Sequence, residues 1–64
     1  MYTVFAKNHV GTVDNEWNFL EYSLALQMFM VATDCIDCAR AGLMNAMTGE
    51  LIMDFNFIDG IHTY

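Results

Sequence analysis

The residues of this chain with the widest chemical reach are two cysteines and two histidines. Cys35-Ile36-Asp37-Cys38 carries two thiols at a spacing that lets both reach one metal ion, and two Cys with two His make up the ligand set of many structural zinc sites. His9 and His62 lie in separate expected loops, without the usual His-x₃₋₅-His pairing. Two thiols packed at a helix end are the simpler reading, and zinc held through Cys35 and Cys38 is the alternative; no cofactor is expected. Thiol–disulfide enzymes place such a pair at a helix N-terminus, where the dipole lowers the thiol pKa. Here the pair follows an expected helix and is flanked by Asp34 and Asp37, so dipole and carboxylates both work against a reactive thiolate.

Other catalytic patterns are weaker still. Acid–base work needs paired carboxylates in a sheltered cleft. Asp14 and Glu16 read instead as helix-start residues, and Glu50 and Asp54 as the solvent face of a strand. Ser23 falls mid-helix with no nucleophile elbow around it, and the four glycines form no phosphate-binding loop. A chain this short also has little room for a pocket of the usual size. An enzyme is not expected.

The elements that must position these residues follow from periodicity. Tyr2–Ala6 reads as a short strand and 7–13 as a loop. Asp14 or Asn15 can cap a helix running from Glu16 to about Thr33, in which Trp17, Leu20, Leu24, Met28 and Val31 share one apolar face. Its polar stripe is thin, and Phe19, Tyr22, Leu26, Phe29 and Met30 line much of the remainder. A helix apolar on most sides asks for a second cover.

Residues 39–46 and 50–57 read as a hairpin around Met47-Thr48-Gly49, with Gly49 in the positive-φ position of the turn. Ala46 then faces Glu50 and Met44 faces Ile52. Leu51, Met53, Phe55 and Phe57 point at the helix, and Glu50, Ile52, Asp54 and Asn56 point out. Arg40 stands diagonal to Asp54. Met30, Met44 and Met47 fall at the surface, and residues 58–64 form a tail with a turn at Asp59-Gly60. The expected fold is therefore α+β: one domain, 1–64, with an amphipathic-to-apolar helix on a three-stranded antiparallel sheet in the order β-α-β-β.

Composition decides what such a domain can meet. Sixty-four residues hold eight acids against Lys7 and Arg40, a net charge of −6, with 56 % hydrophobic residues. Two bases cannot replace the counterions of a nucleic acid, and an anionic membrane is disfavoured on the same ground. The natural complement is a basic protein surface. No secretory leader is apparent, and the longest apolar stretch, 19–32, is too short and too polar to span a bilayer. A cytoplasmic location is expected. A chain this small buries only about 60 % of its unfolded surface, which favours a homo-oligomer or another partner.

In size and element pattern the chain resembles the small β-α-β-β proteins of phages and mobile elements. The charge of −6, the small size, the expected cytoplasmic location and the lack of a catalytic motif point to an inhibitor of phage or mobile-element, anti-CRISPR-like type, a nucleic-acid mimic expected to occupy a basic, nucleic-acid-binding surface of a larger host protein. The expected contacts are the carboxylates Asp14, Glu16, Glu50, Asp54 and Asp59, with Phe29, Met44 and Ile52 as the desolvated centre. The alternatives are a homo-oligomeric interaction module and the small zinc-binding module.

Overall fold

A computed structural model describes residues 1–9 and 14–64, with Asp14 described by its backbone alone. The elements run β1 (Tyr2–Asn8), β2 (Asp14–Phe19), α1 (Tyr22–Thr33), β3 (Cys38–Asn45), β4 (Glu50–Asn56) and β5 (Gly60–Thr63). The strands form one five-stranded antiparallel sheet in the order β2-β1-β3-β4-β5. The class is α+β with a single helix among the described residues, but the sheet has two more strands than the sequence reading expects.

The first added strand replaces the front of the expected helix. Asn15, Trp17 and Phe19 alternate with Asp14, Glu16 and Asn18, which is the period of a strand. Pairing with β1 sets Tyr2 opposite Phe19 and Val4 opposite Trp17, so two aromatics join the core side. Asp14 and Glu16 are therefore strand residues and not helix caps. The helix begins at Tyr22, six residues later than the expected start at Glu16. Its N-cap is Glu21, in extended conformation and with no side-chain cap bond. Its end falls near Thr33 as expected, with the Asp34 N–H donating to the Met30 carbonyl (3.1 Å).

The second added strand is the expected tail. Residues 60–63 pair with β4, and the Tyr64 N–H extends the ladder by donating to the Ile52 carbonyl (2.9 Å). The hairpin between them turns at Gly60, whose φ of 85° suits glycine. The β3–β4 hairpin forms where the sequence places it, with Gly49 at φ 75°. Its register matches expectation from Arg40↔Asn56 to Leu43↔Met53, then slips by one at a bulge, giving Met44↔Leu51 and Asn45↔Glu50. The bulge turns Leu51 away and lets Ile52 pack on the core, so their expected directions are exchanged.

The core lies between α1 and the β2-β1-β3 half of the sheet. Ala25, Phe29 and Ala32, at i, i+4 and i+7, are the buried stripe of the helix. Beneath them Ala6 pairs with Ala41 and Val4 with Leu43, and the two small residues allow a close helix. Phe29, Leu43 and Val4 are fully buried, each contributing about 1.5–3 kcal/mol by transfer from water.

Candidate functional site

The helix covers half of one sheet face, so the molecule offers three open surfaces: the opposite face of the sheet, the groove between α1 and the β4–β5 hairpin, and the end where α1 terminates. Strand alternation assigns the residues to each.

On the uncovered face one rung of paired residues runs Glu16, Phe5, Gly42, Asp54 and His62 across all five strands. The ring of Phe5 lies over Gly42, which has no side chain to displace it. The neighbouring rung holds Asp14, Lys7, Arg40 and Asn56. Both cations of the chain thus stand diagonal to Glu16 or Asp54, and the charges of this face largely compensate. Glu16 and Asp54 are three strands apart, roughly 14 Å at the usual inter-strand spacing. That is too far for two carboxyls to share acid–base work. The Asp54 Oδ2 accepts from the Tyr64 hydroxyl (3.2 Å), while Oδ1 is buried without a hydrogen-bond partner. The bond to Asp54 holds the Tyr64 phenol protonated above the usual tyrosine range, with some desolvation adding to it. Met44, half-buried, lies beside Thr3 and Phe5 on this face.

The remaining acids, Glu21, Asp34, Asp37, Glu50 and Asp59, are all exposed and lie off that face. Asp34, Asp37 and Asp59 lie in segments at the same end of the sheet, where α1 stops, β3 begins and the β4–β5 turn follows Asn56. The chain is tied there by the His9 N–H to the Asp37 carbonyl (3.0 Å) and the Phe57 N–H to the Ala39 carbonyl (3.1 Å), with the His9 and Phe57 rings edge-on at 4.7 Å. Asp59 caps the β4–β5 turn, where Asn56 Nδ2 donates to its carboxylate and Asn56 Oδ1 accepts from the Ile58 and Asp59 N–H groups. The same end exposes Ile36 (91 %), Ile58 (77 %) and Phe57 (59 %). Large apolar side chains at such exposure beside three carboxylates form a mixed surface of the kind interfaces use.

Beside it runs a groove of about 420 Å³ lined by Met30, Val31, Thr33, Asp34, Phe55 and Ile61. Val31 is 64 % exposed on its wall. On the other flank of α1 a cavity of about 330 Å³ is walled by Trp17, Met28, Ala32, Cys35 and Cys38.

The structure thus divides the residues the sequence singles out. Glu16, Asp54 and Met44 share the uncovered face, Glu50 sits at the far hairpin and Asp59 at the helix end. Phe29 is fully buried and so offers no surface to a partner, while Ile52 is partly buried against the core. The exposed apolar side chains that sequence reasoning missed are Ile36, Phe57 and Ile58. Only their position in turns, where an apolar residue has no core to face, could have marked them. Cys35 is exposed and Cys38 buried. Burial pushes the Cys38 thiol up, Cys35 adds to this, and a backbone hydrogen bond from Arg40 lowers it in part; Sγ also donates to the Arg40 carbonyl (3.4 Å). Among the described residues no three of His, Cys, Asp or Glu converge as metal ligands. Among the described residues no helix is long and apolar enough to cross a membrane. Compared with known proteins, the chain matches no family model, no curated protein and no solved structure.

Proposed function

We propose that this chain is a small acidic protein-binding inhibitor that occupies a basic, nucleic-acid-binding surface of a larger protein. The observation that carries the reading is the composition of the end where α1 stops: exposed Asp34, Asp37 and Asp59 lie in the segments that also expose Ile36, Phe57 and Ile58, while Lys7 and Arg40 stand at register positions on the uncovered sheet face. Carboxylates there take the place of phosphates and speed encounter with a cationic groove, and the apolar side chains supply the desolvated centre. The docking surface is thereby moved from the strand carboxylates to the end of α1.

The test is affinity capture from nuclease-treated host extract, followed by salt titration and competition with nucleic acid. Capture is expected to weaken steeply with salt, to be reversed by nucleic acid, and to fall about tenfold in Asp34→Asn/Asp37→Asn/Asp59→Asn, given roughly 0.2–1 kcal/mol per rim charge. Capture indifferent to salt and to that triple variant refutes the reading.

A second reading, a homo-oligomeric module, draws on the outer side of α1, where Leu24, Met30 and Val31 are exposed. Sedimentation decides it: a monomer at micromolar concentration excludes the oligomer and leaves the inhibitor standing.

A further inference from the structure

Resting on the acidic-inhibitor reading, we propose that β5 is a pairing edge, and that the partner contributes an extended basic segment which adds to the sheet as a sixth strand and drops its apolar side chains into the groove between α1 and β5.

The two edges of the sheet are built differently. β2 carries Asp14 and Glu16, and charged side chains on an edge oppose pairing with a further strand. β5, Gly-Ile-His-Thr, has no lysine, carboxylate or proline, and its pairing with β4 is free of bulges. Of the devices that normally blunt an edge, β5 has short length, at four residues, and lacks the charges, the proline and the bulge. Its outward groups can be assigned. The Tyr64 N–H bonds the Ile52 carbonyl, and bonded pairs alternate along an antiparallel ladder, so His62 and Gly60 face β4. The N–H and C=O groups of Ile61 and Thr63 therefore point away from the sheet.

The groove lies on the helix side of this same edge, with the Ile61 and Phe55 side chains as its floor and Met30 and Val31 as its wall. A strand laid along β5 sends every second side chain to that side, which is how strand-addition sites combine main-chain affinity with side-chain pockets. Charge selects the occupant. Asp34 lines the groove and Asp59 precedes β5, while Lys7 and Arg40 lie at register positions on the opposite face. A second copy of this chain would bring another net −6 to the same place, whereas a segment alternating basic and apolar residues matches groove and rim together.

The probe is a synthetic peptide of alternating lysine and valine, followed by amide NMR and hydrogen exchange on the intact chain. Binding is expected to slow exchange at the Ile61 and Thr63 amides and to shift the resonances of Val31 and Phe55. N-methylation of every second peptide residue on the pairing edge should weaken it about tenfold or more, since several main-chain bonds are lost at once. Asp34→Asn should weaken it about threefold. Val31→Ser, at an exposed position that leaves the fold intact, should abolish the groove shifts. Failure to bind, binding that protects β2 instead, or indifference to N-methylation overturns the proposal, and the salt-dependent capture described above can still succeed in those cases. Equal binding of an alternating glutamate–valine peptide overturns both the basic occupant and the inhibitor reading. Protection of Ile61 and Thr63 that rises with protein concentration, without peptide, overturns it in favour of self-pairing through β5.

Discussion

Replacing Gly42 by alanine tests how the uncovered sheet face is held together. A methyl group built on Gly42 would overlap Cζ and Cε1 of the Phe5 ring and stand 3.0 Å from Cε2. The ring must leave its seat, and Phe5 is half-buried there with no other glycine beneath it. Overpacking of this kind costs about 1–3 kcal/mol. A 64-residue domain at typical stability per residue has roughly 3–10 kcal/mol in total, so the variant remains folded but its urea midpoint falls clearly. The backbone of Gly42 has no positive φ, so alanine itself is not strained. Glycine within a strand costs roughly 0.5–1 kcal/mol relative to alanine through its greater freedom when unfolded. In a Phe5→Ala background the sign should therefore reverse, with Gly42→Ala stabilising by about 0.5–1 kcal/mol. Urea unfolding of the four proteins, followed by Trp17 fluorescence and far-UV dichroism, completes the double-mutant cycle. Equal destabilisation in both backgrounds, or none in the parent, refutes the assignment of Gly42 as the seat of the Phe5 ring.

The two thiols should separate kinetically: a thiol reagent labels exposed Cys35 at once and Cys38 only on opening, because burial both shields Cys38 and raises its pKa. Simultaneous labelling under native conditions contradicts this. The phenol of Tyr64 should ionise above the ordinary tyrosine range, because its hydrogen bond to Asp54 favours the protonated form. A folded-state pKa above the unfolded value stabilises fully below the unfolded pKa and is lost as pH rises through the folded one. The contribution of this bond therefore holds through neutral pH and disappears only in alkali, and an ultraviolet titration should lose its latest step in Tyr64→Phe and shift it downward in Asp54→Asn.

Particular residues show how far the sequence could be read. Met53 and Phe55 alternate with Asp54 and Asn56 beyond a Thr-Gly turn, and this local pattern yields both the hairpin and its register as far as Leu43↔Met53. The bulge after Leu43 is a packing choice, since it brings Ile52 to the core, and no spacing announces it. Trp17 was ambiguous: it stands at i−3 and i−7 from Leu20 and Leu24, a helix period, and at i±2 from Asn15 and Phe19, a strand period. Val4 across the ladder decides for the strand. β5 has four residues, too few for either period to be measured, and only β4 beside it supplies its partner groups. At the candidate site the carboxylates could be named but not grouped. The grouping arises from the meeting of a helix end, a strand start and a distant turn, and Phe29 shows the reverse error, an apolar residue on an apolar helix whose direction only the packing reveals.

The strand order has a consequence for how the chain folds. Every pairing in the sheet joins strands consecutive along the chain except β1 with β3. That seam encloses about 30 residues, and closing such a loop carries an entropic cost before any contact across it forms. Two hairpin-built halves can therefore arise locally and wait for one another, with α1 as their tether. Changes along the seam, such as Ala6 or Ala41 to a larger residue, should slow folding, whereas changes in β5 should chiefly hasten unfolding. β5 is then the strand that opens most readily, which keeps a bare edge available without loosening the core.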